Sequence, residues 1–339
     1  MKGIRKIMCV MILQIAGVSV RAQDLHFSQF FNSPLTTNPA NTGFIPDADY
    51  RVAVNYRTQW SSVLNVPYKT MSAWGDAQLF RDRLETGWLG VGALILSDIA
   101  GSGGLRSDKV YASVAYHQML GQSSLVSGGF NLGYASKRID PTNLKFPSQF
   151  NGKFFDAEAP AGVEFTNLST SYFDMQAGIN YAYFPKENIY INAGYSIHHV
   201  NMPRETFFGD NTAAGKIPIR HIGFLNAILK VNPRLIINPN IYFTTQAKAM
   251  ELMGGMNANY DLAEFGDKQL IFGLYYRSND ALIPLAGFET KNISFTFTYD
   301  ATISTLKSFN NYRGAAEFSI VKKGFYPNHS DRESMCPRF

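Results

Sequence analysis

Cysteine is nearly missing from this chain: Cys9 falls in the apolar core of an N-terminal leader, and only Cys336 lies beyond it. No intrachain disulfide can therefore hold the mature protein together. Long apolar runs are missing too. After the leader no stretch offers the ~18 consecutive apolar residues of a transmembrane helix. Charged residues make up only 17% of the chain. Four of its 31 cationic residues (Lys2, Arg5, Lys6, Arg21) sit in the leader, so the remainder nearly balance the 26 acidic ones and leave no basic footprint for nucleic acid. The glycine-rich stretch at 101–104 (GSGG) lacks the Lys-Ser/Thr of a phosphate loop and reads as a turn. His198-His199 is the single paired imidazole. Strand alternation would send the two rings to opposite faces, so no metal site is expected there, nor any cofactor.

What the chain has is aromatic residues and glycine: 26 Phe, 18 Tyr and 28 Gly in 339 residues. Aromatics favour pleated, half-buried surfaces, and abundant glycine marks turns and close strand contacts. The mean hydropathy of −0.12 is too polar for a helical membrane protein, while the charge content is low for a soluble one. A barrel with an apolar outer wall and a polar interior averages to that combination.

Residues 1–22 combine a basic start, an apolar stretch at 7–18 and small residues near Ala22. They read as a secretory signal peptide cleaved before Gln23, the alternative being an uncleaved anchor helix. Residues 24–48 follow as a segment rich in Asn, Pro, Ser and Thr, read as ordered but turn-rich because Pro34 and Pro39 fix φ and cannot donate to a ladder. From residue 49 the pattern switches to period 2. Val52, Val54 and Tyr56 fall on one face, and Arg51, Ala53, Asn55 and Arg57 on the other. Similar alternation recurs to residue 321, most cleanly over 171–184 and 188–200. It predicts an all-β fold, a transmembrane antiparallel β-barrel of about 14 strands in one domain, with a tail at 322–339. The long connections at 140–169 and 201–216 suit such a barrel better than a compact soluble domain.

Charges inside strands must avoid lipid, since an Arg or Lys at the bilayer midplane costs roughly 2–4 kcal/mol. Arg51, Arg57, Asp76, Asp174 and Asp300 are therefore expected to face the lumen, either as contacts for a partner segment or as mutual ion pairs that fill space. Ser113 and His117 share a face, which leaves a hydrolase as a further alternative, but no third partner or nucleophile motif accompanies them.

Residues at both ends carry a family resemblance. FSQ at 27–29, Pro34-Leu35, Asn38-Pro39-Ala40 with Thr42-Gly43, then Arg51, Tyr56-Arg57, Gln59-Trp60, Tyr68 and Thr70 occur in order. Near the C-terminus come SNDALIPLAGFE at 278–289 and Tyr299-Asp300, Ser304 and Leu306. Together they resemble the PorP/SprF family of the Bacteroidetes type IX secretion system. The RGAAE at 313–317 keeps only the Glu of that family's usual start to the last strand. The resemblance implies a non-enzymatic outer-membrane barrel of a Gram-negative bacterium. It would support secretion or surface attachment of a large adhesin in gliding motility, or link the outer membrane to periplasmic ring proteins and a peptidoglycan-binding lipoprotein. The alternative is a passive porin or transporter for small or hydrophobic solutes.

Overall fold

The computed structural model describes residues 25–327, apart from 82, 102–103, 142–143, 157, 161, 163–166, 208–214 and 263–267. The leader at 1–22 and Cys336 lie outside the described residues.

Fourteen antiparallel strands form one closed barrel: β1 (Tyr50–Gln59), β2 (Tyr68–Leu79), β3 (Gly87–Ala100), β4 (Leu105–Met119), β5 (Ser124–Arg138), β6 (Ser169–Lys186) and β7 (Ile189–His198), then β8 (Arg220–Asn232), β9 (Leu235–Gln246), β10 (Ala249–Asp261), β11 (Lys268–Arg277), β12 (Ala281–Thr290), β13 (Ile293–Thr302) and β14 (Arg313–Gly324). Every strand pairs with its sequence neighbours, and β1 closes the ring on β14 from Tyr50↔Gly324 to Gln59↔Ala315. Closure leaves no sheet edge, as a sheet in hydrocarbon requires. No helix among the described residues is long and apolar enough to cross a membrane.

Outward side chains are apolar: Phe173 and Ile179 on β6 are 65% and 63% exposed. Tyr134, Tyr195 and Tyr276 ring one end of the wall, and Tyr116, Tyr181 and Tyr260 the other, the double aromatic girdle of a membrane barrel. Inward side chains on the same strands are polar and buried, among them Asn55, Asn131, Gln176, Asn180 and Asn240.

The two rims differ. One carries the long connections 139–168 and 199–219; the other carries 187–188, 233–234 and 291–292 together with both ends of the barrel chain. At the long-loop rim the β13–β14 register shifts between Asp300 and Ala301, a bulge that ends regular pairing beside an inward carboxylate.

Residues 25–48 do not join the sheet. They fold as three short turns (Phe30–Asn32, Pro34–Thr37, Pro39–Asn41) inside the lumen, where Phe27, Phe30, Leu35, Ala40 and Ile45 are buried. Asn38 caps the last turn, its carboxamide oxygen accepting from the Ala40 N–H. Three apolar clusters fasten this plug: Phe30 against Tyr242 and Tyr275, Phe27 and Leu35 against Trp74 and Leu94, and Phe44 against Trp88 and Tyr190.

The lipid face is directly testable. Ile179→Arg, halfway along β6, is expected to cost about 2–4 kcal/mol in denaturant titrations from lipid bilayers. A loss within error of zero would mean this face does not meet hydrocarbon.

Candidate functional site

The lumen holds the chain's unusual chemistry, and the N-terminal plug organises it. At the long-loop end, Ser28 is the hub. Its hydroxyl accepts from Arg57 Nη1 and Arg277 Nη2, each at 2.6 Å, and donates to Asp300 at 2.9 Å. The backbone N–H groups of Ser28 and Gln29 both donate to Glu317, at 2.8 and 2.9 Å. Arg57 spans the two acids, 2.8 Å from Asp300 and 3.2 Å from Glu317, and Arg277 lies 3.0 Å from Asp300. All six residues are buried. Around them Glu251 lies 3.4 Å from His26, and Arg220 donates to the Leu25 carbonyl at 2.9 Å. Glu251 pulls the His26 pKa up, but desolvation and the guanidinium groups of Arg277, Arg57 and Arg220 pull it further down, to about 4. His26 is therefore neutral at pH 7, and Arg57, Arg220 and Arg277 balance Glu251, Asp300 and Glu317.

Midway down the lumen, glycines make the seat. A Cβ on Gly129 of β5 would stand 2.4 Å from the Pro39 carbonyl carbon, and one on Gly178 of β6 would stand 1.9 Å from Asn38 Oδ1. A Cβ on Gly90 would stand 1.9 Å from the Thr42 carbonyl oxygen, and one on Gly194 2.7 Å from Asn38 Nδ2. Asn38 Nδ2 donates to the Ile179 carbonyl at 2.9 Å. The Asn-Pro-Ala and Thr-Gly pairs thus rest directly on strand backbone.

Below the seat, Asp76 accepts from the Gly43 N–H at 2.8 Å and is gripped bidentately by Arg51, at 2.6 and 3.0 Å. The Arg51 guanidinium also lies over the Trp74 ring, 5.4 Å from its centroid. Trp88 donates to the Gly43 carbonyl at 2.9 Å and Gln78 to that of Ile45 at 2.6 Å.

All five lumen candidates from the sequence face inward. The structure brings Arg57 and Asp300 together at Ser28, and Arg51 and Asp76 together at Gly43. Asp174 stands apart, accepting from Tyr111 at 2.7 Å and paired with His199 Nδ1 at 2.9 Å. Sequence reasoning missed Ser28 as the hub, Arg277 as the second guanidinium and the glycine seat. A column of inward glycines on adjacent strands was the available signal.

One expectation is corrected. His198 and His199 do not point to opposite faces: β7 ends at His198, His199 takes a φ of 58°, and both rings are buried. Alternation holds only while the backbone stays extended. No group of three or more His, Cys, Asp or Glu side chains suited to a metal occurs among the described residues. Ser113 and His117 do share the lumen face, but both are engaged by the plug. Ser113 donates to Asn131 and so accepts from the Thr42 hydroxyl, while His117 Nε2 donates to the Thr42 carbonyl at 2.8 Å. His117 Nδ1 then accepts from Ser127 at 2.7 Å.

A family model described as "Type IX secretion system membrane protein PorP/SprF" matches residues 19–321. No curated protein matches the chain. Among solved structures it is similar to the Pseudomonas putida toluene transporter TodX, with a TM-score of 0.53, 12% identity, and coverage of 87% of this chain and 94% of that one. The Ralstonia pickettii toluene transporter TbuX gives 0.51, 12%, 87% and 94%, and a Pseudomonas aeruginosa FadL homologue gives 0.51, 9%, 91% and 95%. At such identities the likeness is one of fold: an outer-membrane barrel.

Two substitutions separate the fastenings. Asp300→Ala removes the carboxylate that buried Arg57 and Arg277 share and is expected to cost about 3–5 kcal/mol in denaturant unfolding; a loss below 1 kcal/mol would show the cluster to be energetically idle. Gly129→Ala forces a methyl into the Pro39 backbone and is expected to cost roughly 1–3 kcal/mol. It should also make residues 25–48 cleavable by protease while the barrel keeps its heat-dependent gel mobility; an uncleaved segment would show that the seat yields.

Proposed function

Because the chain belongs to the PorP/SprF family of type IX secretion system membrane proteins, we propose that it serves as a sealed, non-enzymatic outer-membrane ring that docks secretion partners at its rims. It lies in the outer membrane as a closed barrel. Bacterial barrels keep short turns in the periplasm and long loops outside, so the rim bearing 187–188, 233–234 and 291–292 is assigned to the periplasm.

The observation that carries this reading is the plug. The residues that carry the family resemblance at opposite ends of the chain (Ser28, Gln29 and Arg57 near the start, Asp300 and Glu317 near the end) meet in one buried network. Their job is to hold the lumen shut. A sealed ring suits a component whose work is contact: periplasmic ring proteins and a peptidoglycan-binding lipoprotein at the short-turn rim, a large secreted adhesin at the loops. The engagement of Ser113 and His117 by Thr42 supports a non-catalytic role.

The solute-transporter reading rests on fold likeness to toluene transporters. It demands a path, and for apolar solutes an apolar one. The lumen wall here mixes carboxamides and charges with three apolar clusters, and the plug covers those clusters with its own Phe27, Phe30, Leu35 and Phe44.

The two readings part in two measurements. Purification of tagged protein from detergent-solubilised outer membranes is expected to recover periplasmic ring components or the adhesin. Liposomes carrying the full chain are expected to pass no sugar or toluene, whereas a variant lacking residues 25–48 passes small polar solutes. Flux through the intact chain, with no secretion component recovered, would turn the assignment to transport.

A further inference from the structure

Under the plug, at the short-turn rim, lies a cavity of about 330 Å³, bordered by the Phe44–Tyr190 fastening. Its volume sits at the lower end of the ~300–1,000 Å³ range of small-ligand sites. Six asparagines and one glutamine line it, with Phe31, Phe44 and Tyr190 as aromatic surface. Such a density of carboxamides in one pocket exceeds what space-filling requires.

The two walls differ. On β9 to β11 the amides support one another: Asn238 donates to Asn259 at 3.2 Å, Asn257 to Asn259 at 3.1 Å, and Asn259 to Gln269 at 3.2 Å. On β7 and β8, the next strands round the sheet, the carboxamide oxygens of Asn192 and Asn226 are buried with no hydrogen-bond partner. Asn192 is only 6% exposed. Leaving such acceptors unmet is costly, and both carboxamides line the cavity, so turning either about its terminal bond presents the oxygen to a ligand that brings donors.

The ligand's chemistry follows from the lining. It carries no negative charge, because Lys323, the cation at the edge, is already paired with Asp47 at 2.5 Å and Glu289 adds a second carboxylate to the lining; a neutral ligand meets neither cost. It is rich in groups that both donate and accept, since hydroxyls suit a carboxamide in either orientation. It has an apolar face for the rings of Phe44 and Tyr190, whose centroids lie 6.1 Å apart. It is short, because the plug's Phe31 and Phe44 form part of the lining and a polypeptide cannot thread past them. We propose that this periplasm-facing vestibule binds a neutral saccharide of one or two sugar units, with Asn192 and Asn226 as its acceptors and the adjoining β9–β11 amides completing the wall. The secretion assignment neither requires this site nor depends on it.

The full-length protein, folded in a detergent without a sugar head group, is titrated calorimetrically with maltose, with N,N′-diacetylchitobiose, with a chitin hexasaccharide and with triglycine. Saturable one-to-one binding of a disaccharide is expected, with none of triglycine. Asn192→Leu and Asn226→Leu are each expected to weaken it about tenfold. Folding is checked by heat-dependent gel mobility, and Asn259→Ala on β10 provides a second test if either Leu variant fails to fold. A hexasaccharide that binds as well as the disaccharide assigns the site to a glycan chain end, and one that binds more weakly assigns it to a free sugar; both support the proposal. No saturable saccharide binding, tighter binding of triglycine, or saccharide affinity unchanged in the folded variants would overturn it.

Discussion

One serine hydroxyl, wedged between two guanidinium groups and a carboxylate, decides how this barrel is closed on the inside. Lipid outside forces the apolar residues of each strand outward and leaves the polar ones facing in, where a barrel of this width has too little room to hydrate every charge. Arg57, Arg277, Asp300 and Glu317 pair with one another, yet their geometry is completed only by Ser28 and by the backbone amides of Ser28 and Gln29. Buried ion pairs seldom stabilise much on net, but a half-completed set is strongly destabilising. The plug is therefore part of the wall's electrostatics and not an appendage lying in a finished pore.

The same logic runs down the lumen. Each level of the plug meets a complementary feature of the strands: charge at Ser28, missing side chains at Asn38 to Gly43, a carboxylate at the Gly43 amide, aromatic rings at Phe44. Glycine on β5 and β6 lowers strand stability, a cost these positions offset by letting Pro39 and Asn38 reach the sheet backbone. Contacts that join Ser28 to Glu317 span nearly the whole chain, so they form only once β14 has arrived. Plug docking and ring closure are thereby coupled, because loop-closure entropy must be overcome before either contact contributes.

Much of this was legible in the amino-acid sequence. Alternation alone locates fourteen strands, with ends within about three residues, because the constraint it reports is repeated on every strand: residues 171–184 correspond to β6 (Ser169–Lys186), and the last strand runs past Val321 to Gly324. The inward facing of Arg51, Arg57, Asp76, Asp174 and Asp300 follows from the same period. What alternation cannot report is a segment without a period. Residues 25–48 make three tight turns of three or four residues each, too short for a helical repeat. Their mixture of Phe, Pro and small polar residues is as compatible with a rim as with a lumen. His199 escaped for a related reason, since a single left-handed residue resets the phase. Nothing local marks Arg277 and Glu317 as partners of the plug, because the neighbour that gives them meaning lies hundreds of residues away.

The direction in which the plug runs limits how such a barrel can act. Leu25 is held by Arg220 at the long-loop end, and the chain then descends past the glycine seat to Asp49, which bonds Gly324 and Gln78 at the opposite rim. The lumen is thus occupied along its length by a strand of the protein's own chain, anchored at both ends. A partner segment cannot take that path without first breaking the Ser28 network, whose members are too deeply buried to exchange one by one. The proposed docking role therefore falls to the rims, where the 139–168 and 199–219 loops stand on one side and an amide-lined vestibule opens on the other. A ring that is rigid because its interior is filled can present both faces at once, which an open pore of the same strands would do less firmly.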